Sequence, residues 1–190
     1  MTTTVADPRD QTDAVWNQAP VRLETLAAGD VETVLQVFEG LGARSRELRF
    51  LTPKPRLTGP DLRALSDVGD GDRVAVVARQ QERAIGIARF ARDKDDRAMA
   101  DVAVAVVDEW QGRWVGTSLA HALLDRALEL GVTRFSMTIA DDNEAALRLL
   151  HRLADHVTLV GSESGSVEFV ASLADPVSSA GARARAGGSR

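Results

Sequence analysis

The 190-residue chain has no cysteine and no tyrosine, and Lys54 and Lys94 are its only lysines. Without cysteine there is no disulfide, no thiolate nucleophile and no zinc–thiolate site, and nothing calls for an oxidising compartment. No apolar run approaches the ~18 residues of a membrane-spanning helix. Met1 to Asp13 carries acids and lacks the apolar stretch of a secretory signal. Basic charge is not in excess: the formal net charge is −5, whereas nucleic-acid binding needs a clustered basic face. The three histidines form no metal set, because His151 and His156 are not at the i,i+4 spacing of ligands on one helix face and His121 lies on a different predicted helix. The expectation is a cytoplasmic protein that engages neither nucleic acid, membrane nor metal.

What the chain does contain is a folded unit predicted over 20–174. Residues 1–19 are polar and aperiodic, and 175–190 are rich in Ala, Gly, Ser and Arg; both read as disordered. Val21 to Leu26 reads as a short strand. Asp30 is a good N-cap for a helix with Val31, Val34, Leu35, Phe38 and Leu41 at helical spacing. Arg44 to Leu51 suggests a helical turn stopped by Pro53 and Pro55, and Pro60 starts a short helix that Gly69 ends. The period then changes to that of strands over 73–79, 84–91 and 98–107, joined by short polar connections as in an antiparallel meander. A helix over 114–130, a strand over 133–139, a helix over 142–153 and paired strands over 156–161 and 166–172 complete the order β-α-α-β-β-β-α-β-α-β-β. That order predicts an α/β fold of three layers around a mixed, mostly antiparallel sheet.

One segment stands out. Gln111-Gly112-Arg113-Trp114-Val115-Gly116-Thr117 joins the apolar run Val102 to Val107 to a predicted helix. First-turn N–H groups have no partner inside a helix, and the macrodipole adds positive charge, so a strand–Gly turn–helix junction is suited to an anion such as phosphate.

The element order and this turn together resemble the GNAT N-acetyltransferase family. Val106-x-Asp108-Glu109-Trp110-Gln111-Gly112-Arg113-Trp114-Val115-Gly116-Thr117 is similar to the family's acetyl-CoA segment, a Gln or Arg, two residues, then Gly-x-Gly/Ala. Asn143-x-x-Ala146-x-x-Leu149 is similar to its second motif, an Asn opening the helix after the fifth strand. Ser45-Arg46-Glu47-Leu48-Arg49-Phe50, Ala84 to Phe90 and Ala100-Asp101-Val102-Ala103 extend the likeness to the acetyltransferase domain of bacterial Pat-type protein lysine acetyltransferases. No further domain accompanies it in this sequence, so a free-standing copy is expected.

The resemblance implies acetyl-CoA as cosubstrate and an amine acceptor, expected to be a protein lysine, with direct attack in a ternary complex. A non-catalytic module binding CoA or a partner, and an acetyltransferase for a small-molecule amine, are the alternatives. The scarcity of lysine would limit self-modification. Residues 111–117 would hold the pyrophosphate, with Arg113 as a charge partner. Val104, Ala105 and Val106 would present backbone groups to the pantetheine arm and the thioester carbonyl, an oxyanion-stabilising role. Asn143 would cap its helix, reach the arm, or do both.

Asp101 aligns with the carboxylate that serves the Pat-type enzymes as general base; the alternative is a solvated residue at a strand start. Asp108 and Glu109 read as solvated turn residues. The position that often carries an acidic Tyr is Leu150. Trp114 stands where the family has glycine, and as a helix-opening residue it is expected at negative φ, its indole lying along the ligand or across the pocket. The predicted acceptor region, 30–67, offers Glu39, Arg44, Arg46, Glu47, Arg49 and Arg56, a mixed set that selects no acceptor by charge. Pairing of the last strands across a homodimer is a further possibility.

Overall fold

A computed structural model describes residues 20–154 and 156–172. The expectations for 1–19 and for 175–190 lie outside the described residues. The strands are β1 (Val21–Thr25), β2 (Arg73–Gln80), β3 (Arg83–Arg92), β4 (Met99–Val106), β5 (Arg134–Ala140), β6 (His156–Glu163) and β7 (Ser166–Ser172). The helices are α1 (Val31–Glu39), α2 (Ala43–Phe50), α3 (Gly59–Ser66), α4 (Val115–Glu129) and α5 (Glu144–Leu153). Three helices, not two, therefore separate the first two strands. Arg44 to Leu51, read as a turn, belongs to a full helix whose C-cap Leu51 is left-handed, at φ 56°.

The local chemistry accounts for the helix ends. Asp30 Oδ1 accepts from Thr33 N at 2.9 Å. Thr58 and Asp61 form a reciprocal capping box around Pro60. In α1 the buried stripe is Val34, Val37 and Phe38, continued by Leu41, while Val31 and Leu35 face outward.

The seven strands form one sheet in the order β1-β2-β3-β4-β5-β7-β6. Every neighbouring pair is antiparallel except β4 and β5. Strand alternation sends successive residues to opposite faces. Val74, Val76, Ile85, Ala88 and Phe90 pack against Leu119, Leu123 and Ala127 of α4, and α5 extends this layer over Ile139 and Ala171. On the other face Ala75, Val77 and Ala84 pack against Val34 and Val37 of α1, with Leu62 and Leu65 of α3. These two cores make the three layers expected from the sequence.

Gly86 shows how closely α4 seats on the sheet. A Cβ there would lie 2.9 Å from Leu119 Cδ1 and 3.1 Å from the Ala105 carbonyl oxygen, which β4 holds in place. Gly86→Ala is therefore expected to destabilise the protein by about 1–3 kcal/mol, the usual range for overpacking. A urea titration checks this; an unchanged midpoint would mean that β3 and β4 shift freely.

Candidate active site

The parallel pair at the centre of the sheet is short. Only Met99, Ala100 and Asp101 of β4 pair with Arg134, Phe135 and Ser136 of β5. Beyond Asp101 the two strands diverge, and β4 remains paired on its other side with β3 as far as Val106. Between the diverging strands lies a cavity of about 930 Å³. Its lining includes Asp101, Val104, Ala105, Val106, Gln111, Gly112, Trp114, Gly116, Thr117 and Asn143. The two predicted motifs, over 30 positions apart in the chain, thus meet at one cleft. Backbone groups on the β5 side of Val104–Val106 have no strand partner and are placed to bond an extended, amide-bearing ligand.

The anion end is built by the turn after β4. A single 3-10 turn, Asp108–Trp110, leads into it, and Gly112 adopts φ 72°. No side chain caps α4, so its first-turn N–H groups at Val115, Gly116 and Thr117 are available to a ligand. Gln111 is committed to the protein: its Nε2 donates to Val106 O at 3.0 Å, Asp108 Oδ1 at 3.1 Å and Ser45 Oγ at 3.2 Å. It serves the turn by fixing it to β4 and α2. Arg113 lies over the Trp110 ring, 5.3 Å from the centroid, and does not line the cavity. Val115 is buried under the turn in the main core.

Trp114 departs from the expectation of negative φ. It is the N-cap of α4, outside the helix, and is left-handed at φ 66°, whereas the N-caps of the other four helices have negative φ. Glycine adopts this conformation freely, whereas an L residue gives up about 1–2 kcal/mol. The indole is 67% exposed. It forms part of the cavity rim, with the Arg152 guanidinium 5.2 Å from its ring centroid.

Asn143 behaves as its spacing predicts. It is the N-cap of α5, and its Oδ1 accepts from Ala146 N at 3.1 Å while the residue lines the cavity. Leu150, expected from the resemblance to stand at the position of an acidic Tyr, is buried. The hydroxyl side chains on the cavity are Ser45, Thr117 and Thr138.

Asp101 sits at the last paired position before β4 and β5 diverge. Although the residue as a whole is exposed, desolvation of its carboxyl in the cleft pushes it above the usual aspartate range, opposed by the positive charges of Arg49 and Arg89 and assisted by Glu168. The same face carries Arg89 on β3, whose register partner is Ala103, and Ser136 on β5. Asp108 and Glu109 are not free carboxylates: Asp108 Oδ2 accepts from Gly42 N at 3.1 Å, and Glu109 pairs with Arg83 at 3.1 Å.

The mixed charges of 30–67 resolve once partners are assigned. Arg44 pairs with Glu47 at 2.9 Å and with Asp142, which ties α2 to the loop before α5. Arg46 donates to the carbonyls of Phe38, Glu39 and Pro55. Arg49 faces the cavity beside Asp101. Sequence reasoning places Arg49 in the acceptor region without giving it a role, and does not single out Arg89 or Arg152. The signal available was the position of Arg49 at the end of a helix followed by a Pro-rich stop; the cross-strand placement of Arg89 has no sequence signature.

An α/β sheet whose parallel fourth and fifth strands splay beside an uncapped helix N-terminus defines a class of acyl-CoA-dependent transferase architecture. The comparisons agree. Residues 43–154 match the model of the "Acetyltransferase (GNAT) family", and the chain belongs to that family of N-acetyltransferases. It is 33% identical over 135 residues to "Acetyltransferase Pat" of Mycolicibacterium smegmatis, an alignment covering 69% of this chain and 40% of that protein. The chain thus spans about two fifths of that relative's length. The crystal structure of the GNAT domain of S. lividans PAT superposes with a TM-score of 0.72 at 26% identity, over 80% of this chain and 90% of that one. YncA from Salmonella typhimurium, solved with its cofactor acetyl-CoA, shares the fold with a TM-score of 0.64 at 18% identity, over 82% and 95% of the two chains.

Proposed function

We propose that this chain is an acetyl-CoA-dependent N-acetyltransferase acting by direct attack of an amine on the thioester, with Asp101 as general base. The observation that carries this reading is the convergence on one cleft of the uncapped α4 N-terminus, the unpaired side of β4 and the Asp101 carboxylate. The pyrophosphate would sit against the N–H groups of Gly116 and Thr117, with the Gly112 turn allowing close approach. The pantetheine arm would run along Val104–Val106 and complete the ladder that β5 leaves open.

An amine with a pKa near ~10.4 arrives protonated and must lose a proton to attack. Asp101 would take it directly or through one water. The N–C bond would form first, giving a tetrahedral oxyanion that a β4 N–H stabilises, and its collapse would break the C–S bond and release the CoA thiolate. The chain has no tyrosine, so the departing thiolate would take its proton from water or a neighbouring side chain, or leave unprotonated. The likeness to Pat-type domains supports a protein lysine as acceptor.

Leu150 favours a second reading, a module that binds CoA without turnover, because it places an apolar side chain where an acid often stands. Calorimetry with acetyl-CoA and CoA, followed by thiol release on a panel of amines and lysine-bearing proteins, separates the two. Binding followed by acetylation is expected. Binding with no acetylation of any acceptor leaves only the module, and no binding of either form ends both readings.

A further inference from the structure

The strongest feature outside the acetyl-CoA frame is the guanidinium of Arg49. It projects from the last turn of α2 into the main cavity beside Asp101, and it also lines a smaller hollow shared with Arg89. Neighbouring arginines are occupied: Arg44 by two carboxylates, Arg46 by three carbonyls, and Arg89 by the Ala64 carbonyl at 3.2 Å. Among the described residues Arg49 has no hydrogen bond and no ion pair within 4.0 Å; its guanidinium lies over the Phe50 ring, 5.0 Å from the centroid. Burial, with repulsion from Arg89, lowers its pKa to about 10, so it remains charged at neutral pH.

A partly desolvated cation without a partner is costly unless something satisfies it. The position beside the reacting amine makes the acceptor itself the natural candidate. A purely cationic acceptor such as a polyamine would meet Asp101 but leave the guanidinium of Arg49 unpaired. An acceptor that brings a carboxylate with its amine meets Asp101 with one charge and Arg49 with the other. A guanidinium suits this role because it can hold both carboxylate oxygens at once.

We propose that Arg49 anchors a carboxylate of the acceptor, so that the preferred acceptor carries an anionic group within about 10 Å of its attacked amine, the range over which such charges are weakly screened. This rests on the transferase reading for the location of the acceptor. The carboxylate has two possible sources, the α-carboxylate of a free amino acid or an acidic residue beside a lysine in a polypeptide.

The test is equilibrium binding to the protein–CoA complex, which does not depend on turnover. Two probe pairs differ in one charge: lysine against lysinamide, and N-acetyl-Lys-Asp-amide against N-acetyl-Lys-Asn-amide. At least one pair is expected to show tenfold or greater preference for the carboxylate member, and Arg49→Gln to bring that preference within twofold. Preference in the lysine pair alone identifies a free amino acid; preference in the dipeptide pair identifies an acidic polypeptide segment. Equal binding within both pairs, or a preference that survives in Arg49→Gln, overturns the proposal. Should the Gln variant fail to fold, Arg49→Lys is expected to lower the preference at least threefold, and an unreduced preference overturns it. Absence of acetyl transfer with the preference intact removes the transferase reading while the anchor stands; transfer to both members with equal binding does the reverse.

Discussion

Asp101→Asn is expected to lower kcat/KM for an amine acceptor by about 10²–10³ at pH 7, within the usual contribution of a positioned general base, while leaving acetyl-CoA affinity within about twofold of wild type. The substitution keeps the shape of the side chain and removes only its capacity to accept a proton. Wild-type activity should rise with pH through the elevated pKa of Asp101, because only the ionised carboxylate acts as base. That inflection should vanish in the variant. Steady-state kinetics from pH 4 to 9 check both statements; an Asn variant with unchanged turnover and an unchanged profile removes Asp101 from the chemistry.

The same shift has a consequence for stability. A carboxyl whose pKa is higher in the folded than in the unfolded state favours folding below the unfolded pKa and loses that contribution as pH rises through the folded pKa. Asp101 is such a group, so at neutral pH its ionised form weighs against the fold. The Asn variant should accordingly melt at a higher temperature than wild type at pH 7, and the gap should close as pH falls toward the ordinary aspartate range. Lost activity together with gained stability distinguishes a functional carboxylate from a structural one.

Trp114 gives the second large effect. Trp114→Ala is expected to weaken acetyl-CoA binding by about tenfold, within the ~1–3 kcal/mol typical of base–aromatic stacking. The reason is placement: in the proposed acetyl-CoA pose a largely exposed indole on the cavity rim, braced by Arg152, would cover the nucleotide end of the ligand. Trp114→Gly removes the same indole and also relieves a left-handed backbone at φ 66°. The Gly variant should thus be more stable than the Ala variant by about 1 kcal/mol. Calorimetry and urea titration of the two variants separate ring from backbone. Tighter binding in both would show that the native indole obstructs the site.

Much of this fold was legible in the sequence because its signals are local. The Asp30 and Asn143 caps, the stops at Pro53 and Gly131, and the change of period at Arg73 each depend on a few neighbouring residues, and each stands close to where it was read. The cleft was legible because its two motifs carry backbone requirements. What escaped was set by register and by three-dimensional accounting. Arg89 reaches Asp101 only because β3 pairs with β4 in one alignment. The isolation of Arg49 emerges only after the partners of Arg44 and Arg46 are known. The left-handed backbone of Trp114 has no counterpart at the other N-caps, and helix boundaries are located by propensity only to within a residue or two.

The brevity of the β4–β5 pairing makes this molecule two half-sheets held by a seam of three residue pairs. One half is β1 to β4 with α1 to α3; the other is β5, β7 and β6 with α5, and α4 rests mainly on the first. A ligand lodged in the seam would act as an eighth strand, contributing its amides where the protein has left its own ladder unfinished. By mass action, ligand at a hundred times its Kd adds about 2.7 kcal/mol to folding. The cosubstrate would then be a structural member as well as a reactant, and each turnover would briefly return the seam to its three pairs.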